Sequence, residues 1–111
     1  METDPGVVYH SPAAGREWQP DQDVGGFNHM LFDDGRSMAG IWRADPEANG
    51  GPVSVPIPAR ETIVVLAGSV SVTVAGGEAR RLAVGDMLSI PAGSMVGWDP
   101  APDCSVFWIY S

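Results

Sequence analysis

The chain has 111 residues, enough for one small domain with a single hydrophobic core and too few for two independent ones. Fourteen acidic against six basic side chains leave a net charge of −8, which repels phosphate backbones and anionic lipid and argues against nucleic-acid or membrane partners. No apolar run approaches the ~20 residues of a membrane span and the start lacks the pattern of a secretory signal, so a cytoplasmic protein is expected.

Residues 1–26 are rich in Gly, Pro, Asp and Gln, with only "GVVYH" looking strand-like. They predict an N-terminal arm that packs on something else, ahead of a folded unit over residues 27–111. In that unit "FNHMLF" and "RSMAGIWRA" flank the turn "DDG", and "TIVVLAG" and "SVSVTVAGG" are rich in β-branched residues. "GEARRLAVGDMLSIPAGS" adds Gly-Gly and Gly-Asp turns, where Asp86 fits a residue bonding its own backbone, and "SVFWIY" closes the chain as an aromatic strand. No segment of ten residues combines helical periodicity with caps. Short strands at this spacing predict an all-β barrel or sandwich.

Chemistry-bearing motifs are mostly missing. The sequence has no phosphate-cradling glycine loop, no nucleophile elbow, and no His-x-His or His-x-x-x-His pair. The single cysteine, Cys104, has no histidine or lysine near it in sequence to activate its thiol, and reads as a small semi-buried residue. Of the two histidines, His10 falls in the arm and His29 in the first core strand, where a neutral imidazole in a barrel mouth could act as acid or base.

The spacing of Glu61 and Gly68, with six residues between them, and of Gly85, Pro91 and Gly93 resembles the two motifs of the cupin superfamily. "GIWRADP", "PARETIVVLAGSVSVTVAGGEARRLAVGDMLSIPAGSMVGW" and "FWIY" look more specifically like the subfamily of ureidoglycine aminohydrolases and ethanolamine-utilisation cupins. The resemblance covers about residues 38–110 and implies a single-domain cupin β-barrel of the jelly-roll type. It says little about activity, because one such fold hosts many functions.

Metal-binding cupins place two histidines, separated by one residue, shortly before the glutamate. Here those positions hold Val55 and Ile57, or Ser54 and Pro56. The histidine of the second motif is replaced by Val96 and its closing asparagine by Pro100, so of the family's ligand set only Glu61 remains. One carboxylate does not hold a transition metal, so no metal and no cofactor are expected unless His10 or His29 folds back onto Glu61.

Strand periodicity puts Ile63 and Val65 on the face of Glu61 and lets Trp42, Val55, Ile57, Val96 and Trp98 line an aromatic-rich interior; it leaves open whether Phe107 and Ile109 or Trp108 and Tyr110 face inward. Glu61 itself has three readings: an anchor paired with Arg60, Arg43 or a backbone N–H, a general acid or base, or a hydrogen-bond acceptor for a ligand. Arg43 is either a clamp for a carboxylate ligand or part of a rim ion pair.

Two functions follow from different classes. One is a metal-independent protein that binds a small polar or aromatic metabolite in its barrel. The other is a metal-free lyase, isomerase or hydrolase with Glu61 as general acid or base, assisted by His29 or Tyr110. Whether the chain is an enzyme is left open by its sequence. The polar arm and the resemblance together imply a homodimer, with a small-molecule ligand as the other partner.

Overall fold

A computed structural model describes residues 6–48 and 52–111, which form ten strands and no helix, hence none long and apolar enough to cross a membrane. The strands are β1 (Gln19–Pro20), β2 (Phe27–Asp33), β3 (Met38–Arg43), β4 (Val53–Pro56), β5 (Glu61–Ala67), β6 (Ser69–Val74), β7 (Arg80–Ala83), β8 (Met87–Ile90), β9 (Met95–Pro100) and β10 (Ser105–Tyr110). They pair antiparallel into a six-stranded sheet, β1-β2-β3-β10-β5-β8, and a four-stranded sheet, β4-β9-β6-β7. Two antiparallel sheets closed over one core make the jelly-roll barrel expected from the sequence.

Alternation explains which residues fill it. In β6 the pattern "SVSVTV" buries Val70 and Val72 completely and turns Ser69, Ser71 and Thr73 to the other face. Ile63 and Val65 of β5, Ile90 of β8, Val96 of β9 and Val106 of β10 complete the centre of the core. Beside them Trp108 is buried, which decides the open question about "SVFWIY": Trp108 and Tyr110 face inward, and Phe107 and Ile109 lie outward in register with Val64 and Thr62.

The chain crosses from one sheet to the other between β5 and β6 at Gly68. Its φ is 65°, and a side-chain carbon there would lie 2.5 Å from the carboxylate and 2.9 Å from the backbone of Asp103. Only glycine satisfies both the left-handed conformation and the close approach. Asp86 accepts from the backbone N–H of Ala83 at 2.8 Å, closing the β7–β8 turn as its position suggests.

The polar N-terminal segment packs on its own chain over residues 9–20. Tyr9 stacks on Phe32 with centroids 5.1 Å apart, Trp18 tilts against His29 at 5.9 Å, and β1 adds to the free edge of β2. "GVVYH" forms no strand, and Val8 within it is 89% exposed.

Candidate functional site

Between the sheets, one end of the barrel holds a cavity of about 310 Å³, at the small end of the ~300–1,000 Å³ usual for small-molecule sites. Glu61, at the start of β5, is in register with Tyr110 on one side and with the buried Ile90 on the other. Its carboxyl group faces this cavity beside Trp42 of β3 and Trp108 and Tyr110 of β10. The opposite wall comes from Val55, Ile57, Val96 and Trp98.

A loop closes the mouth. The Asp21 carboxylate accepts from the backbone N–H groups of Asp23 and Val24 at 2.8 and 3.0 Å, shaping residues 21–26 into a tight turn. Its second oxygen accepts from Asn28 Nδ2 at 2.6 Å, and Asn28 Oδ1 accepts from the indole N–H of Trp108 at 3.0 Å. Trp42 donates to the Gly25 carbonyl at 2.8 Å and meets Trp98 edge to face at 5.5 Å. The rings of Trp42 and Trp108 are thus held in place by the loop that borders the cavity. Trp98 is 8% exposed, and its indole N–H is buried without a hydrogen-bond partner.

Electrostatics set the protonation of the two ionisable groups within. Burial, reinforced by the charge of Asp21, raises Glu61 from the ordinary 4.5 to about 7. Burial first, then the charges of Glu61, Asp21 and Asp23, raise Tyr110 to about 12, so its hydroxyl stays a donor at all ordinary pH values. Cys104 is buried and inert, its thiol pushed up to about 11 by burial and then by Asp103.

Three readings need correction. Glu61 is not anchored by an arginine: Arg60 turns outward and donates to Ser89 Oγ at 2.9 Å. Arg43 is exposed on the outer face, with its guanidinium 4.2 Å above the Trp18 ring and 5.5 Å from that of Phe27, so it clamps no ligand in the cavity. His29 lies outside the barrel mouth, because its neighbours Asn28 and Met30 take the inward positions of β2. Its Nδ1 bonds the Glu17 carbonyl at 2.9 Å and its Nε2 bonds the Ser11 hydroxyl. His10 is exposed and borders no part of the cavity, so neither histidine folds back onto Glu61.

The structure therefore brings together Glu61, Tyr110, Trp42, Val55, Ile57, Val96 and Trp98 and leaves out His29 and Arg43. It adds Asp21, Asp23, Asn28 and Trp108, which sequence reasoning missed. Trp108 was within reach, since an inward Tyr110 carries Trp108 with it by alternation. No local signal marked the Asp21–Asn28 segment.

The residues present do not suit a transition metal. Beside Glu61, Val55, Ile57 and Val96 offer hydrocarbon where a metal needs nitrogen, oxygen or sulfur donors. Among the described residues no group of three or more His, Cys, Asp or Glu is placed to hold an ion.

The sequence profile of the EutQ-like cupin domain matches residues 31–102. The chain belongs to that family. Solved structures agree on the fold of this EutQ-like cupin. An ethanolamine utilization protein Q from Salmonella typhimurium LT2 superposes with a TM-score of 0.78 at 20% identity, covering 97% of this chain and 89% of that one. KdgF from Halomonas sp. gives 0.72 at 24% identity, over 95% and 94%. The EutQ protein of Clostridium difficile gives 0.63 at 17% identity, over 81% and 65%. No curated protein matches by sequence. Within the cupin, Asp21, Asp23, Asn28, Trp108 and Tyr110 all fall outside the matched residues 31–102, so most of the cavity's polar lining belongs to segments the family profile does not describe.

Proposed function

We propose that this EutQ-like cupin binds one small organic metabolite in its barrel without a metal, through the Glu61 carboxyl group. The observation that carries the reading is a carboxyl group in an aromatic-walled cavity that no arginine, lysine or histidine borders. A buried polar group without a protein partner costs stability, and a ligand that hydrogen-bonds to it offsets that cost. The hydrocarbon at Val55, Ile57 and Val96 leaves room for the body of the ligand and supports the metal-free reading.

A second reading, proton transfer to or from the bound molecule, is favoured by one specific observation. Glu61 is held at about 7, where a carboxyl group both gives and accepts a proton at neutral pH. Tyr110, opposite it in register and protonated throughout, would donate a hydrogen bond to an oxygen that gains charge. An isomerase, lyase or hydrolase step fits those two groups.

Mass spectrometry of small molecules released from the purified protein tests the binding reading. A compound recovered with the native chain and lost with Glu61→Gln supports it. Equal recovery from both places the compound elsewhere and refutes it. Stoichiometric manganese, iron or zinc in protein purified without chelator refutes the metal-free part. With a substrate in hand, proton transfer by Glu61 predicts a rate profile that inflects near pH 7 and loses that inflection in Glu61→Gln.

A further inference from the structure

We propose that the cavity selects an organic cation, an ammonium or quaternary ammonium group on a compact body. The inference rests on the cavity being a ligand site and names the class of ligand it takes. The walls hold four aromatic rings, from Trp42, Trp98, Trp108 and Tyr110, and three acidic side chains, from Glu61, Asp21 and Asp23, with no basic residue among them. Aromatic rings attract a cation through their quadrupole, and do so more strongly where water is excluded. Carboxylates at the mouth repel anions and raise the local concentration of cations.

Other features of the site point the same way. The Trp42 and Trp108 N–H groups are engaged with Gly25 and Asn28, so those two rings are fixed in place before any ligand arrives. Asp21 is fixed as well, because its oxygens accept three hydrogen bonds. The Trp98 ring completes the aromatic wall, edge to face with Trp42. Glu61, Asp21 and Asp23 all border the cavity, and after burial each adds to raising the Tyr110 hydroxyl. A bound cation offsets the burial, and after it the charge of Asp21, that together disfavour the ionised form of Glu61.

Four probes of similar size separate charge from shape: choline, tetramethylammonium, the neutral carbon isostere 3,3-dimethylbutan-1-ol, and the anion 3,3-dimethylbutanoate. Each is titrated into the full-length protein at pH 8 while the indole N–H signals of the four tryptophans are followed by NMR. Choline and tetramethylammonium are expected to shift the Trp42, Trp98 and Trp108 signals, with the neutral alcohol at least tenfold weaker and the anion without effect. Asp23→Asn, at an exposed position on the rim, is expected to weaken choline several-fold and leave the alcohol unchanged. If the alcohol binds as tightly as choline and shifts the same signals, the cation inference fails while the cavity stands as a ligand site. If neither cation shifts them, the inference also fails, and the ligand released from the native protein decides the wider reading by itself.

Discussion

Replacing Glu61 by Gln should stabilise the protein at alkaline pH and leave it nearly unchanged in acid. The carboxyl group moves from the ordinary 4.5 to about 7 on folding because burial, and then Asp21, disfavour its charged form. An acid whose folded value is raised keeps its full contribution below the unfolded value and loses it as pH rises towards the folded value. Its window is therefore between about 4.5 and 7. At ~1.4 kcal/mol for each tenfold difference, ionising Glu61 in the folded barrel costs about 3 kcal/mol in total, of which about 2.5 kcal/mol falls between pH 5 and pH 8. Gln has nearly the same shape and does not titrate. Urea denaturation of both proteins at pH 5, 6, 7 and 8 measures the difference directly, since every other titrating group is shared. The Gln variant should gain about 2.5 kcal/mol on the native chain across that range. A difference that stays flat with pH would show that folding leaves the Glu61 carboxyl group unshifted, and one that grows towards acid would show that it is ionised and paired; either result would overturn the burial argument.

Trp108→Phe keeps an aromatic ring in the wall and removes the N–H that reaches Asn28, so chemical denaturation should show a loss of about 1–2 kcal/mol. Amide exchange should quicken in residues 21–26 of the same variant, because Asn28 links that loop to β10. Gly68→Ala should cost clearly more than Gly85→Ala in thermal unfolding: both positions have positive φ, but only at Gly68 does the added carbon meet Asp103, while nothing lies within 4 Å at Gly85. The strain common to both is about 1 kcal/mol, and an equal loss at the two sites would contradict the close approach to Asp103. Treatment with a chelator should leave the melting temperature unchanged, as hydrocarbon at Val55, Ile57 and Val96 gives a metal nothing to bind.

The sequence by itself determined what depends on near neighbours along the chain. Alternation in "SVSVTV" identified a strand with one buried face, and the glycines and prolines around Glu61 marked the barrel's turns and its family resemblance. The hydrocarbon at Val55, Ile57 and Val96, where metal-binding cupins carry histidines, was legible before any coordinates. Relative facing within a strand was legible because side chains alternate with a period of two.

Only the tertiary structure decided which of the two faces meets the core. Alternation cannot say so where both faces are apolar, as in "SVFWIY"; His29 and Arg43 take outward positions, where each meets Trp18. The polar rim of the cavity was beyond local reading for a different reason. Trp108 and Asn28 are 80 residues apart in sequence, and their hydrogen bond exists only because β2, β3 and β10 lie side by side in one sheet. The same pairing brings the Asp21 turn to the mouth above Glu61, and its charge there helps to hold that carboxyl group near neutrality.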